Sequence, residues 1–249
     1  MPPPSDVSVV IPVHNGETFV GAAIDSVLAQ AGHAADGIQV IVVDNNSTDG
    51  TRHVVSELIR TRHEDRVVLI SEPRPNAANA RNAGARLATG EWLAFLDADD
   101  VWLPEKLQRQ MDASKLHPEA DLFFTLGEEF HSEEVNDEQQ ASLPCRPEPY
   151  PMLTPTSLLL RREVFSRVGD LPDVPTGEFF AWYGWARELG VRDYVVPEVL
   201  VRRRIHAHNT TRGGAAMAGY PLAAKWLLDQ RRQATASRRQ AEASAGATG

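Results

Sequence analysis

The sequence predicts an α/β protein whose central sheet is mostly parallel and flanked by helices. Short apolar runs alternate with stretches of helical periodicity through the first half of the chain. One of these runs, WLAFL at residues 92–96, is apolar throughout, which is typical of a strand that is buried on both faces of a parallel sheet. Three aspartates, Asp97, Asp99 and Asp100, follow it immediately. The strand therefore brings a group of acidic side chains to its carboxyl end.

Composition and charge narrow the classes of function. The chain has 249 residues, of which 42% are hydrophobic and 24% charged, enough for one large domain with a core. A formal net charge of −9 gives no electrostatic basis for binding nucleic acid. The one cysteine excludes an intrachain disulfide. Because we find neither a membrane-spanning apolar run nor a signal-peptide pattern, we expect a cytoplasmic location, with at most peripheral contact at the inner membrane face.

The elements of the first half follow a regular order. Strands are predicted at residues 7–13, 38–44, 67–71 and 92–97, and helices between them at residues 17–30, 49–62 and 76–89. Strand, helix and strand at this spacing form right-handed βαβ units, which predicts a Rossmann-like sheet. Ligands of such sheets bind outside the carboxyl ends of the strands. His14, Asn15, Asp44 and Asp97 are therefore expected at one edge of the sheet.

The second half of the chain predicts a mixture of elements. We expect helices at residues 104–117, 177–189 and 215–232, and strands at residues 121–127 and 192–205. A further regular element is expected at residues 156–163. Acidic residues and prolines at residues 128–149 indicate a surface loop, and residues 233–249 indicate a disordered tail. This divides the chain into a first half at residues 5–117 and a second half at residues 118–232.

Two polar motifs at strand ends have both a structural and a functional interpretation. In DNNSTDGT, Ser47 or Thr48 could cap a helix, whereas Asp44 could accept the imide N–H of uracil or a ribose hydroxyl. In DADD, Asp97 and Asp99 could cap a turn or supply the hard oxygen ligands that Mg²⁺ and Mn²⁺ prefer. No glycine-rich phosphate loop follows the first strand. This argues against dehydrogenases, P-loop enzymes and sugar nucleotidyltransferases.

Five segments in order carry a family resemblance: VSVVIPVHN, VIVVDNNSTDGT, ARNAGARLATGEWLAFLDADDVW, LLLRREVFSRVG and RIHAHNTT. Together they span residues 7 to about 212, and the chain resembles the inverting GT-A glycosyltransferases of family 2. The resemblance implies a GT-A fold with a donor half and a mixed acceptor-side half. It also implies transfer of a sugar from a nucleoside-diphosphate sugar, with UDP favoured, to an acceptor that is a glycan, a lipid-linked sugar, a peptide or a small molecule.

The resemblance also implies roles for residues of the donor half. Pro12, His14 and Asn15 would line the nucleoside site, and Asp44 would read the base. Arg81, in the helix before the fourth strand, would face the donor.

The resemblance implies a divalent cation, Mn²⁺ or Mg²⁺, in a DXD motif. Asp97 would hold the ribose or the metal, Asp99 would be the direct metal ligand, and His206 would approach the metal or the diphosphate. The cation would stabilise the departing diphosphate while a carboxylate removes the proton of the acceptor.

The sequence departs from the family at the position of that carboxylate. The segment GEFFAWYGWARELG keeps the glutamate of the family motif as Glu178, but Phe179 stands where the family carries its catalytic aspartate. Glu178 could serve as the base, or Asp173 or Asp170 could reach the site, while helix capping is the structural interpretation of Glu178. The alternative hypothesis is a catalytically impaired GT-A-like protein that binds sugar nucleotides or glycans.

A second departure lies in the loop before Arg81. The family tends to have a glycine there, whereas this chain has PRPNAANAR. The prolines predict a stiffer loop.

Overall fold

The structure of the chain is a computed structural model that describes residues 6–32, 37–62, 65–207, 209 and 219–246. Several sequence-based expectations fall outside these ranges. They are the start of the first half at residue 5, part of the last motif at residues 208 and 210–212, residues 215–218 of the last predicted helix, and residues 247–249 of the tail.

Residues 7–95, most of the predicted first half, form four strands separated by three helices. These elements are β1 Val7–Val13, α1 Val20–Leu28, β2 Ile38–Asp44, α2 Thr51–Arg62, β3 Val67–Ser71, α3 Ala77–Leu87 and β4 Trp92–Phe95. The limits of β1, β2 and β3 agree with the sequence prediction. β4 ends two residues earlier than predicted because the chain turns at once: the backbone N–H of Asp100 donates to the carbonyl oxygen of Asp97 at 3.0 Å.

The chain after β4 contributes both the shortest and the longest strands of the sheet. Its elements are β5 Val101–Trp102, α4 Lys106–Leu116, β6 Leu122–His131, α5 Asp137–Ser142, β7 Tyr150–Met152, β8 Leu159–Arg161, α6 Arg162–Val168, α7 Glu178–Glu188, β9 Asp193–Ile205 and α8 Tyr220–Gly246. The predicted loop at residues 128–149 is partly regular. β6 continues to His131 because it pairs with β9 along that length, and Asn136 and Gln139 form a capping box that starts α5.

All nine strands of the described residues belong to one sheet. Its order is β3-β2-β1-β4-β8-β6-β9-β5, and β7 pairs with β6 beside this path. The pairs β1–β2, β1–β4, β2–β3 and β6–β9 are parallel, and the remaining pairs are antiparallel. The sheet is therefore parallel through β1 to β4 and mixed beyond them.

The core lies on both faces of this sheet. Every residue of β1 is buried, and Val9 and Val10 pack into different apolar clusters because neighbouring side chains point to opposite faces. α3 lies very close to β1, since a Cβ atom at Gly84 would be only 2.4 Å from Val10 Cγ1. Glycine at this position allows the helix that carries Arg81 to approach the sheet.

The last helix, α8, packs against α7. Ala223 is buried with Val174 and Ala181, and Arg231 Nη2 lies 2.6 Å from Glu188 Oε1. The sequence predicted disorder from residue 233, whereas the helix continues to Gly246. Alanine, glutamine and arginine are common in this segment, and they favour helix even without a buried face. No helix in the described ranges combines the length and the apolar character that crossing a membrane requires.

Candidate active site

The candidate site lies at the carboxyl ends of β1, β2 and β4, where the sequence placed it. β1 and β2 are parallel with Val13 opposite Asp44, and β4 pairs with the other side of β1. The chain segments that follow these strands therefore leave the sheet at the same edge. His14 and Asn15 are exposed in the loop after β1, whereas Pro12 is buried within the strand.

Hydrogen bonds fasten the loop after β1 to the loop after β2. The backbone N–H of Asn15 donates to Ser47 Oγ at 3.0 Å, and Asn15 Oδ1 accepts from the backbone N–H of Thr48 at 2.8 Å. Asn15 has φ 51°, a left-handed conformation that asparagine tolerates. Ser47 and Thr48 thus join two loops. At the start of α2 it is Asp49 whose carboxylate accepts the backbone N–H of Thr51, at 3.0 Å.

Asp44 is buried at the end of β2, and protein groups already contact both of its carboxylate oxygens. Oδ2 accepts from Arg52 Nη1 at 3.0 Å, and Oδ1 accepts from the backbone N–H of Ser47 at 3.3 Å. Half of the Arg52 side chain is exposed, at 52%. A ligand that bonds to Asp44 would therefore share the carboxylate with Arg52 or displace it.

Arg81 joins the two halves of the site. Its Nη2 donates to Asp97 Oδ1 at 2.5 Å, and its Nη1 donates to Glu178 Oε1 at 2.7 Å. Burial opposes the charge of the guanidinium, but the two carboxylates outweigh it and raise the pKa of Arg81. Among the described residues, the buried Nε has no hydrogen-bond partner. The sequence predicted that Arg81 faces the donor, and the structure adds that it binds one carboxylate from each half.

The acidic turn after β4 is held by the end of β9. Asp99 Oδ2 lies 3.1 Å from His206 Nε2 and accepts from Asn209 Nδ2 at 3.2 Å. The backbone N–H of Arg204 donates to Asp100 Oδ1 at 2.9 Å, and its Nε donates to the Asp99 carbonyl oxygen at 3.0 Å. Burial, followed by the charges of Asp99 and Asp97, raises the pKa of Asp100 well above the usual range. Asp100 is therefore part of the support of the turn.

The donor set suits a divalent cation that takes further ligands from a bound phosphate. The described residues contain no group of three or more His, Cys, Asp or Glu side chains arranged to hold a metal ion. Asp99 and His206 lie side by side, Asp97 has one oxygen on Arg81, and about a third of each aspartate side chain is exposed. Mg²⁺ typically uses one or two carboxylates, several waters and substrate phosphates. The residues fit such a site, and they do not form a complete cage.

The three candidate bases all contact α3 or its first flanking residue. Glu178 is paired with buried Arg81, Asp170 Oδ2 lies 2.7 Å from Arg86 Nη1, and Asp173 accepts from the side-chain amide of Asn76. Asp170 and Arg86 are both exposed at the surface. Within the described residues, Glu178 Oε2 is not hydrogen-bonded. Glu178 is thus the candidate that shares Arg81 with Asp97.

The aromatic residues at the start of α7 divide between core and surface. Phe179 is 8% exposed, and its ring stacks on Trp182 at a centroid distance of 5.8 Å. Phe180 is 54% exposed and lies 5.9 Å from the ring of Tyr220. The side chain that replaces the family aspartate therefore packs in the core.

The sequence did not identify four polar residues of the site: Asn45, Asn76, Arg204 and Asn209. Asn45 is buried, and its side-chain amide donates to the carbonyl oxygens of Glu72 and Arg74 at 2.8 and 2.7 Å. Arg204 lies over the Phe19 ring, 5.0 Å from its centroid. Arg204 and Asn209 lie on either side of His206 in RIHAHNTT, so this motif could have identified them as site residues. Asn45 lies in DNNSTDGT and Asn76 in PRPNAANAR, but their contacts depend on tertiary structure and could not be predicted from either motif.

Comparison with known proteins gives a consistent result. The family model described as Glycosyl transferase family 2 matches residues 8–169. An uncharacterized glycosyltransferase of Nostoc sp. is 44% identical over 103 residues, which cover 41% of this chain and 31% of that protein. The Escherichia coli UDP-Glc:alpha-D-GlcNAc-diphosphoundecaprenol beta-1,3-glucosyltransferase WfgD is 37% identical over 105 residues, which cover 42% and 39%. The chain spans less than two thirds of the length of these curated relatives.

Two solved structures share the fold. S. aureus TarS 1-349 in complex with UDP-GlcNAc has a TM-score of 0.65 at 19% identity, covering 86% of this chain and 61% of TarS 1-349. The mannosyltransferase PcManGT from Pyrobaculum calidifontis, in complex with GDP-Man and Mn²⁺, has a TM-score of 0.65 at 22% identity, covering 82% and 58%. The predicted GT-A architecture, with a mostly parallel first half and a mixed second half, is confirmed.

Proposed function

Because the chain belongs to glycosyltransferase family 2, we propose that it transfers a sugar from a nucleoside-diphosphate sugar to an acceptor, with inversion at the anomeric carbon. A UDP-sugar is the favoured donor, since TarS was solved with UDP-GlcNAc and the name of WfgD specifies UDP-Glc. The acceptor is a hydroxyl or similar nucleophile on a glycan, a lipid-linked sugar, a peptide or a small molecule. Contact with a membrane, if the acceptor is lipid-linked, would be peripheral.

One observation carries this proposal: Arg81 joins Asp97 at the end of a donor-half strand to Glu178 at the start of α7. The site thus has two carboxylates, Asp97 and Glu178, on the one buried guanidinium of Arg81. The guanidinium orients both carboxylates, each through one oxygen. Of the two, Asp97 would face the donor and Glu178 the acceptor.

In the reaction the acceptor oxygen attacks the anomeric carbon as the bond from that carbon to the diphosphate oxygen breaks. The electron pair of the broken bond stays on the diphosphate, and the proton of the acceptor passes to Glu178 Oε2. When bound, a divalent cation, Mn²⁺ or Mg²⁺, supplies Lewis-acid stabilisation of the leaving group. Asp99 and His206 would hold it, with the second oxygen of Asp97 binding the cation or the ribose.

Residues at the ends of β1 and β2 would bind the nucleoside. His14 and Asn15 are exposed beside the buried Asp44, whose carboxylate would accept the imide N–H of uracil. Pro12 would support this loop from within β1.

The proposal is tested by a transfer and donor-hydrolysis assay with a panel of UDP-sugars and Mn²⁺. Glu178→Gln keeps an oxygen for Arg81 but accepts no proton, so turnover should fall about 10²–10⁴-fold while UDP affinity is retained. Glu188→Gln is the matched control, because it lies on the same helix in a half-exposed pair with Arg231. Asp173→Asn tests the alternative base.

Two further outcomes separate the parts of the proposal. Asp99→Asn should lower turnover by about 10²–10³-fold and remove the dependence of UDP affinity on Mn²⁺. If Glu178→Gln turns over at the parent rate while Asp173→Asn does not, the base is Asp173. If the parent protein binds UDP yet turns over no sugar nucleotide, the enzyme proposal fails and the chain is a binding protein.

A further inference from the structure

Asn76, directly before α3, has a backbone conformation that is unusual for a residue with a side chain. Its φ is 106° and its ψ is 155°, a region that is almost restricted to glycine. An asparagine that only capped the helix would not need this conformation, since capping residues typically have extended backbone with negative φ. A residue without a side chain would adopt the same backbone without strain. The structure therefore combines a glycine-like backbone with an amide side chain.

The side chain of Asn76 makes two contacts that a glycine could not make. Its Oδ1 accepts from the backbone N–H of Asn79 at 2.9 Å and caps α3. Its Nδ2 donates to the carboxylate of Asp173, which lies 97 residues further along the chain. The glycine-like backbone thus lets a single amide cap its own helix and reach a second segment.

That second segment, residues 169–177, leads directly to Glu178. α3 holds it at two further points. Arg86 pairs with Asp170 at 2.7 Å, and the buried amide of Asn82 exchanges two hydrogen bonds of 2.9 Å with the backbone of Leu171. Asn76 supplies the last of these three contacts along the segment, the one closest in sequence to Glu178.

On its other side Asn76 is attached to the nucleoside edge. Its backbone N–H donates to Asn45 Oδ1 at 2.9 Å, and Asn45 directly follows Asp44. The Asn45 carbonyl oxygen lies 2.7 Å from His14 Nδ1. The backbone N–H of Asn45 donates to the Val13 carbonyl oxygen at 2.8 Å. A short chain of hydrogen bonds therefore runs from β1 and β2 through Asn76 to the segment before Glu178.

We propose that Asn76 is a positioning residue that couples the nucleoside edge to the placement of residues 169–177, and through them to the start of α7. Occupation of the edge by a nucleoside diphosphate would then order this segment. The coupling rests on the nucleoside binding of the proposed function, and the catalytic part of the inference rests on sugar transfer as well.

The test uses two substitutions and two independent measurements. Asn76→Gly keeps the backbone conformation and removes the amide, and glycine is a tolerable capping residue, so the melting temperature should stay within about 3 °C. Asn76→Asp keeps the cap and places a like charge against Asp173. In both variants the backbone amides of residues 170–177 should exchange hydrogen at least about fivefold faster, by mass spectrometry. Saturating UDP should slow their exchange in the parent and have little effect in the variants.

Asn76→Asp combined with Asp173→Asn offers a rescue, because the hydrogen bond can form again with donor and acceptor exchanged. Exchange protection of residues 170–177 should return in the double variant. Ser114→Ala, at a surface hydroxyl of α4 that bonds within its own helix, is the control.

The enzymatic readout is the division between kcat and the KM of the donor. Asn76→Gly should lower kcat about 10- to 100-fold, the cost of a small misplacement at a reacting centre, with the donor KM nearly unchanged. Parent-like exchange of residues 170–177 in both single variants would overturn the coupling, whether or not the protein turns over a sugar nucleotide. Faster exchange with parent-like kcat would overturn the positioning role alone. Absence of turnover in the parent would count against the proposed function, and the exchange data would still decide the coupling.

Discussion

The buried guanidinium of Arg81 is bonded to two carboxylates that lie 81 positions apart in the chain, Asp97 and Glu178. Removing one partner of a buried ion pair typically costs about 3–5 kcal/mol, because the other charge is left in a poorly solvated place. A lysine could not replace the arginine, since a single ammonium does not present two separate nitrogens in a fixed plane. The residue therefore contributes both to stability and to the geometry of the site.

Glu72, in the loop between β3 and α3, gives the clearest prediction for pH. The Arg74 guanidinium outweighs the opposing effect of burial, and with the Arg74 backbone amide it lowers the pKa of Glu72 to about 2. Because the folded-state pKa lies below the ordinary value of 4.5, the stabilisation is complete above that value and is lost as pH falls toward 2. Arg74 is 57% exposed, so solvent screening reduces the contribution to about 1 kcal/mol.

Unfolding by urea between pH 7 and pH 2.5 measures this contribution. Glu72→Gln should lower the free energy of unfolding by about 1 kcal/mol at pH 7, and the difference from the parent should shrink as pH falls below 4.5. Glu91→Gln, whose partner Arg161 is also exposed, is the control and should change little at any pH. A difference that is constant with pH would show that the loss comes from packing.

At this scale the sequence located the charged groups better than it located their partners. The sequence predicted that His206 shares a site with the aspartates of the turn after β4. In the structure His206 Nε2 lies 3.1 Å from Asp99 Oδ2. The pairing of Arg81 with Glu178 could not be predicted, because no pattern in the sequence links residues of α3 and α7. The same holds for Asn76 and Asp173.

Helix α7 leads to a prediction about the family motif. Phe179 packs between Trp182, Tyr183 and Phe124, so Phe179→Asp would bury a carboxylate in an apolar cluster. Truncating a buried phenylalanine costs about 3–5 kcal/mol, and the unpaired charge adds to this. We expect a fall in melting temperature of at least about 6 °C and no gain in transfer.

Phe179→Leu is the matched control for that experiment. It keeps an apolar side chain and should lose about 1–2 kcal/mol, with transfer unchanged. A stable and more active Phe179→Asp protein would mean that residue 179 faces the cleft in the active protein and does not pack against the neighbouring aromatic rings.

The elements themselves were predicted unevenly, for a physical reason. β1, β2 and β3 were predicted with correct limits because each is an apolar run bounded by polar residues. The helices α1 to α4 and α7 were predicted up to three residues too long at an end, as for α1, which begins at Val20 and ends at Leu28. The last helix was predicted too short at its C-terminal end. The capping groups that end a helix come partly from elsewhere in the fold, and the local pattern does not contain them.

For the whole molecule, the described contacts of α8 predict how much of the C-terminal helix the fold needs. Ala223 is buried against α7, the side chain of Leu227 lies against Gly184, and Arg231 pairs with Glu188. Truncation after Arg232 should therefore leave the melting temperature within about 2 °C. Truncation after Leu222 should lower it by about 5 °C or more, because it uncovers the apolar face of α7.

Differential scanning calorimetry of the two truncated proteins distinguishes these outcomes. Truncation after Leu222 removes Ala223, Leu227 and Arg231, whereas truncation after Arg232 keeps all three. Equal melting temperatures for both proteins would show that α8 adds nothing to the stability of α7.

The arrangement of the sheet could be predicted only for the half that is built from repeated βαβ units. In that half β1, β2 and β3 are neighbours in sequence order and β4 adds on the other side of β1. The right-handed crossover rule leaves few alternatives for such units. In the second half β8 lies between β4 and β6, and β9 lies between β6 and β5. These pairings join segments of distant sequence, and nothing local to β9 indicates that it would insert between two earlier strands.

The insertion of β9 determines how early in its synthesis the chain can order the acidic turn of the candidate site. The backbone N–H of Arg204 supports Asp100, which lies 104 positions earlier in the chain, and Val101 pairs with Arg202 on β9. Ribosomes add about 5–20 residues per second, so roughly 5–20 s pass between the appearance of the acidic turn and the appearance of the strand that holds it. A nascent chain therefore carries the aspartates well before it can order them. The edge of β6 that pairs with β9 stays unpaired for a shorter interval, while roughly 70 further residues are added.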